Sequence, residues 1–125
     1  LDTAALMEAQ RFVRAMPVGE NLVEMILDLV RSARPDADAP ALVRDNVTWG
    51  PGPRAAQALM LAVRAWALLH GRFAPTVDDV AALAQPVLKH RMALGYAARA
   101  QNIRLDQVID EITASATKTS TGAAA

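Results

Sequence analysis

The clearest chemical pattern in the sequence is a glycine- and proline-rich loop that leads directly into an apolar segment. The loop and the start of the segment read Gly50, Pro51, Gly52, Pro53, Arg54, Ala55. Pro53 suits the first position of a helix, where its missing N–H is no loss, and Gly52 then becomes the N-cap. A helix start attracts anions, so Arg54 is unfavourable there unless an anion such as phosphate binds. These residues alone also fit a solvated arginine on a surface loop.

Three further polar residues and a histidine could also do chemistry, and each has a simpler interpretation. Arg72 is predicted to pair with Asp78 or Asp79, within the domain or at its boundary. Adjacent helical residues point about 100° apart, so the two aspartates fit the first turn of a helix better than a catalytic pair. His90 is interpreted either as a cation at a helix end or as a packing residue. No metal site is predicted, because His70 is the only other histidine and lies at no ligand spacing from it.

Four motifs follow one another without a gap in spacing between Gly50 and Arg91. They are Gly50-Pro51-Gly52-Pro53-Arg54-Ala55, Ala65-Trp66-Ala67-Leu68-Leu69-His70-Gly71-Arg72, Thr76-Val77-Asp78-Asp79-Val80 and Pro86-Val87-Leu88-Lys89-His90-Arg91. With these four motifs in this order, the chain resembles the C-terminal lid domain of the MoxR ATPases, a bacterial and archaeal branch of the AAA+ superfamily. A weaker resemblance extends back through Gln10 and Arg11 to Arg34.

The resemblance assigns a role to the glycine- and proline-rich loop. In MoxR proteins the loop typically reads G-A-S-P-R-A, and its arginine is the sensor 2 residue that contacts the terminal phosphate of the nucleotide. Arg54 stands at that position and is the implied catalytic residue, with Gly50, Gly52 and Pro53 beside it as implied cofactor-binding residues. The departure is that Pro51 and Gly52 replace alanine and serine, so the serine hydroxyl is absent.

The resemblance also implies the wider function. The lid would sense ATP and couple hydrolysis to ring assembly and chaperone-like remodelling. ATP and Mg²⁺ are the implied cofactors of a full-length parent ATPase. The implied partners are the AAA+ core of the same protein, neighbouring subunits of a homo-oligomeric ring, and proteins with von Willebrand factor A domains.

The chain by itself lacks the main phosphate-binding motif. It contains no G-x-x-x-x-G-K-[ST] sequence, so neither activity nor a bound cofactor is expected of this chain alone. A stand-alone helical adaptor that binds proteins through residues 35–53 is the alternative function. A helix-turn-helix DNA binder built on the Arg54 and Thr76 helices is a third hypothesis. An upstream phosphate-binding motif in the native gene would decide between the first two.

Composition narrows the class of protein. Thirteen basic residues balance thirteen acidic ones across 125 residues, so the basic excess of a nucleic-acid module is missing. No apolar run reaches the length of a membrane span, and no signal peptide is recognisable. With no cysteine there is neither a disulfide nor a thiolate metal site. We therefore expect a cytoplasmic domain without nucleic-acid or membrane partners.

The elements that must position the loop are helices. Apolar spacing predicts helices over residues 3–16, 20–34, 54–70, 76–91 and 105–115, with Pro86 breaking the fourth and Gly71 following the third as C′ residue. Residues 35–53 are predicted to be a long connection with a short extended piece at Val47 and Trp49. The fold class is thus an all-α small bundle of about five helices. Residues 1–115 form the lid domain, and residues 116–125 are expected to be a disordered tail, partly vector-derived.

Overall fold

A computed structural model describes residues 1–124 and shows a small helical bundle. Among these residues five helices have twelve or more residues: α1 (Thr3–Ala15), α2 (Glu20–Ser32), α4 (Pro53–Leu69), α5 (Val77–Leu88) and α7 (Leu105–Ala124). Two short helices, α3 (Ala41–Asn46) and α6 (Tyr96–Ala100), complete the set. The predicted all-α bundle is therefore confirmed. No helix in the described part of the chain is both long and apolar enough to cross a membrane.

Helix α4 lies at the centre of the bundle, as its nearly continuous apolar surface predicts. It packs against α1, α2 and α5, while α7 packs against α2 and α5 on the other side. Leu59 and Val63 of α4 are completely buried, together with Ile26 and Leu29 of α2. Ile109 of α7 joins the same core cluster. The core therefore fixes the position of helix α4, and with it the backbone of Arg54.

The connection between α2 and α4 is more ordered than the sequence predicts. The extended piece is confirmed as strand β1 (Val47–Trp49), but helix α3 precedes it. Strand β1 pairs antiparallel with β2 (Ala93–Leu94), a partner more than forty residues away in the chain. Because strand pairing is a non-local interaction, the pattern of residues 35–53 alone does not reveal it. Pairing makes this segment part of the bundle rather than a free loop.

Helix α5 passes through Pro86 without a break, where the sequence predicts one. A proline inside a helix removes one backbone hydrogen bond and crowds the preceding turn. Pro86 lies in the last turn of α5, so little of the helix has to adapt. A short 3₁₀ turn (Lys89–Arg91) then ends the segment.

The last helix is longer than the sequence predicts. Helix α7 continues through residues 116–124, beyond its predicted end at residue 115, and residue 125 of the predicted tail lies outside the described residues. Ala116 packs against the core, and Ser120 is 5% exposed. Asn21 Nδ2 on α2 donates a hydrogen bond to Ser120 Oγ at 3.1 Å. Small side chains pack this part of α7 against α2, which a search for large apolar residues does not detect.

Helix α1 is attached to the bundle by its C-terminal end. Val13 and the following Met16 are buried, whereas Leu6 is 47% exposed. Residues 1–8 are all exposed. The Arg64 guanidinium on α4 donates to the Arg14 carbonyl, with Nη1 and O 3.3 Å apart. The N-terminal half of α1 therefore contributes little to the core.

Candidate functional site

The glycine- and proline-rich loop forms the start of helix α4 as the sequence predicts. Gly52 is the N-cap in an extended conformation, with φ −99° and ψ −172°, and Pro53 occupies the first helical position. Arg54 follows in the first turn and is exposed. Within residues 1–124 its guanidinium forms no hydrogen bond or ion pair, and its backbone N–H has no backbone partner. The helix thus begins with an unpaired cation and with the Arg54 N–H free of any backbone partner in residues 1–124.

The two residues that precede the N-cap, Gly50 and Pro51, anchor this loop to the bundle. Pro51 is among the fully buried side chains. Gly50 lies against the C-terminal end of α2, so that a β-carbon added there would be 2.7 Å from the Ala33 carbonyl oxygen and 2.8 Å from the Arg34 Cα. Contacts that short leave no room for a side chain. Gly50 therefore acts in positioning the loop, a role that the sequence alone does not indicate.

The site residues named from the sequence divide into two groups. Arg54 faces solvent and can reach an anion, whereas Gly50 is packed against backbone. A β-carbon added to Gly52 would meet no atom within 4 Å, so the surroundings of Gly52 are open. A phosphate near the loop would meet the Arg54 guanidinium and the helix start. The loop offers no carboxylate or hydroxyl, so Mg²⁺ would have to find its ligands elsewhere.

Arg72 pairs with Asp79, which resolves the choice between the two aspartates. Nη1 lies 2.7 Å from Oδ2 and Nη2 lies 2.6 Å from Oδ1. Asp79 Oδ2 also accepts the backbone N–H of Thr76 at 2.7 Å, which completes a capping box at the start of α5. The Arg72 hydrogen bonds, followed by that of Thr76, hold the pKa of Asp79 below its ordinary value although burial opposes this. The pair has a structural role.

The backbone turn at Gly71 ends helix α4 and places Arg72 directly after it. Gly71 has φ +73°, the left-handed conformation that glycine adopts most easily. Its N–H donates to the Leu68 carbonyl, and the Arg72 N–H donates to the Ala67 carbonyl. This is the Schellman arrangement that ends many helices. The predicted C′ role of Gly71 is confirmed.

His90 and Arg91 lie in the 3₁₀ turn that follows helix α5. Arg91 Nη1 donates to the Val87 carbonyl at 2.7 Å and contacts His90 Nε2. A cation on the last carbonyls of a helix is favourable, so Arg91 caps the end of α5. No three His, Cys, Asp or Glu side chains in the described part of the chain are arranged to hold a metal ion.

A second ion-pair cluster ties the end of α5 to the start of α7. Asp106 lies 2.8 Å from Lys89 Nζ and 3.1 Å from Arg104 Nη2. The hydrogen bond from Lys89, then that from Arg104, lowers the pKa of Asp106. Gln85 Nε2 donates to the Asp106 carbonyl at 2.7 Å. The sequence does not predict the contacts of Asp106 with Lys89 and Gln85, because these residues belong to different elements.

Two exposed aromatic residues near the loop are not among the site residues that the sequence predicts. Trp49, directly before Gly50, is 61% exposed, and Tyr96 is 91% exposed. A β-carbon on Gly95 would lie 2.8 Å from Thr48 Oγ1, so the chain before Tyr96 passes close to β1. Aromatic residues in strand-like patterns usually indicate burial, so the sequence does not indicate the exposure of Trp49 on β1.

Comparisons with known proteins agree with this geometry. The family model described as the AAA lid domain matches residues 39–112. The chain is 33% identical over 103 residues to YeaC of Bacillus subtilis, an uncharacterised protein, covering 82% of this chain. It is 31% identical over 113 residues to Chaperone MoxR1 of Mycobacterium tuberculosis, covering 90% of this chain. This chain spans 30% of the length of each of these relatives.

A solved structure shows the same fold. The crystal structure of a provisionally assigned ATPase from Cytophaga hutchinsonii superposes with a TM-score of 0.73 at 27% sequence identity. The match covers 82% of this chain and 31% of that protein. The matched lid model includes the glycine- and proline-rich loop, the Arg72–Asp79 pair and the end of α5. The chain therefore belongs to the AAA lid domain family and is the lid of a MoxR-type AAA+ ATPase.

Proposed function

We propose that Arg54 is the sensor 2 arginine of this lid and contacts the terminal phosphate of ATP bound to the ATPase core. The observation that carries the proposal is that Arg54 is exposed at a helix start with no partner in residues 1–124. A cation at that position is unfavourable by a few tenths of a kcal/mol or more unless an anion joins it. A nucleotide phosphate supplies that anion.

The geometry supports a catalytic rather than a purely binding role. A guanidinium donates several N–H groups at once, so it can follow charge as it moves among phosphate oxygens during transfer. Gly50 and Pro51 fix the loop against the bundle, which limits the reorganisation needed when the lid closes. Gly52 caps nearly as well as serine, so replacing the family's serine leaves the helix start intact.

The wider role follows from the family. The parent would be an ATPase that uses ATP and Mg²⁺, with the core supplying the phosphate loop and the metal ligands. The lid would associate with that core and with neighbouring subunits of a ring, and would couple hydrolysis to chaperone-like remodelling of partners such as von Willebrand factor A domain proteins. We propose the cytoplasm as the compartment.

The test is substitution of Arg54 in the longer ATPase. Arg54→Ala should slow ATP turnover much more than it weakens ATP binding, because the charge matters most in the transition state. An arginine in comparable phosphoryl transfer contributes roughly 10³- to 10⁵-fold, and a lid arginine that shares this work should lie at the lower end or below. Arg54→Lys should recover part of the rate, since lysine keeps the charge but not the planar fork.

A matched control separates this role from a general effect of surface charge. Arg99 on α6 is also exposed, and Arg99→Ala should leave turnover and ATP binding unchanged. Equal turnover of Arg54→Ala and Arg99→Ala would refute the sensor 2 assignment. So would a loss confined to the dissociation constant for ATP.

A further inference from the structure

A groove runs between helices α2 and α7. It encloses about 310 Å³ and is lined by residues 21–32 of α2 and 111–120 of α7, with Pro40 and Leu42 at one end. On α2 the lining residues recur at helical spacing, so they form one face of that helix. At 1.5 Å per residue that face is roughly 17 Å long, or about three turns. The groove has the length of a short helix.

Apolar side chains lie at the bottom of the groove, and the residues of α7 that line its side are small. Met25 and Ile112 are buried at the floor, 3% exposed each. Ser115, Ala116 and Thr119 of α7 line the wall, and small side chains let a second backbone approach closely. A surface of this kind resembles the hydrophobic grooves that accept an amphipathic helix.

The charges along the groove all have one sign. Glu24, Asp28 and Glu111 are the charged residues of the lining within the described chain, and all three are exposed. Arg31 lies 3.8 Å from Asp28, but it is not part of the lining. Because the whole chain is neutral, with thirteen charges of each sign, the groove is locally acidic against a balanced surface. An occupant with basic side chains complements it.

We infer that this groove binds an amphipathic helix of a partner protein. The apolar side chains of that helix would contact Met25 and Ile112, and its flanking Lys or Arg residues would lie near Glu24, Asp28 and Glu111. This inference does not depend on the role of Arg54, since it uses a different face of the domain and needs no nucleotide.

The experiment uses the intact 125-residue chain without nucleotide. A phage-displayed library of helical peptides keeps an apolar seam at i, i+3 and i+4 and leaves the flanking positions random. Selected peptides should carry Lys or Arg in those flanks, and one of them, labelled, is then used in fluorescence anisotropy. Affinity for Glu24→Lys/Glu111→Lys should fall about tenfold or more. A peptide with its basic flanks changed to glutamate should bind this variant better than the wild type.

Two variants test whether a loss of binding comes from the groove itself or from a general change in surface charge. Glu8→Lys changes an exposed acidic residue of α1 outside the groove and should bind the peptide like the wild type. Ser115→Trp fills the groove without altering its charge and should abolish binding, with circular dichroism confirming that it folds. Binding that is equal in the double-lysine variant and in Glu8→Lys would overturn the inference. So would selected flanks without basic residues, or self-association of the chain that the double-lysine variant abolishes.

Discussion

Arg72 and Asp79 join the end of helix α4 to the start of helix α5 through two parallel hydrogen bonds of 2.7 and 2.6 Å. The Asp79 side chain is 4% exposed, whereas that of Arg72 is 37% exposed. The same carboxylate also accepts the Thr76 N–H. Asp79 therefore caps helix α5 and also pairs with the Arg72 guanidinium. This contact links the central helix, which carries Arg54, to the next helix in the bundle.

Removing that carboxylate should destabilise the domain. Asp79→Ala loses the helix cap and leaves Arg72 without its partner, so we expect the free energy of unfolding to fall by roughly 2–3 kcal/mol. Asp78→Ala is the matched control, since Asp78 is an exposed neighbour in the same turn and should change stability little. Urea unfolding followed by circular dichroism measures both. Equal stabilities of the two variants would contradict the structural role of Asp79.

The lowered pKa of Asp79 predicts a loss of stability in acid. The unfolded chain takes up a proton near the ordinary value of 3.8, whereas the folded chain does so at lower pH. The stabilisation is therefore fully present above the unfolded value and is lost as pH falls through the folded value. Between about pH 5 and pH 3 the unfolding free energy of the wild type should fall more steeply than that of Asp79→Asn. Parallel curves would show that this carboxylate is not responsible.

Gly50 should not tolerate a side chain. Gly50→Ala places a methyl group 2.7 Å from the Ala33 carbonyl oxygen, so the loop must shift away from α2. We expect a loss of roughly 1–3 kcal/mol, the usual range for overpacking. Gly52→Ser in the same loop meets nothing within 4 Å and should be neutral or slightly stabilising as an N-cap. Thermal melts of the two variants make the comparison, and a Gly50→Ala variant as stable as Gly52→Ser would contradict it.

Local chemistry explains why most helices could be predicted from the sequence. The apolar stripes of α2 and α4, Gly52 and Pro53 at a helix start, and Gly71 at a helix end are signals contained within a few residues. Contacts between distant segments could not be found in this way. The pairing of β1 with β2 and the packing of Gly50 on Ala33 depend on how the bundle closes.

The same distinction applies to the candidate site. Arg54 could be found because its residue type conflicts with its position at a helix start. The choice of Asp79 over Asp78 as the partner of Arg72 could not, because both lie in the first turn of α5 and burial separates them. The acidic groove is a property of two helices that are far apart in the chain, so neither helix indicates it alone.

The second half of α7 should be part of the folded domain. Ser120 is buried and bonded to Asn21, so removing residues 116–125 should lower the melting temperature and weaken the N-terminal turn of α2. Amide protons of residues 116–120 should exchange more slowly than those of the exposed residues 1–5. Rapid exchange throughout 116–120, with an unchanged melting temperature after truncation, would instead support a domain that ends at residue 115.

Arg54 should contribute nothing to the stability of the isolated lid. Its side chain is exposed and has no partner in residues 1–124, and its charge opposes the positive end of the helix dipole. Arg54→Ala should therefore leave the unfolding free energy unchanged or raise it by a few tenths of a kcal/mol. Arg64→Ala is the contrasting variant, because Arg64 is half-buried and donates to the Arg14 carbonyl, so its removal should be destabilising. A fall in the melting temperature of Arg54→Ala as large as that of Arg64→Ala would mean that Arg54 holds the fold together, and its proposed action on a phosphate would lose its support.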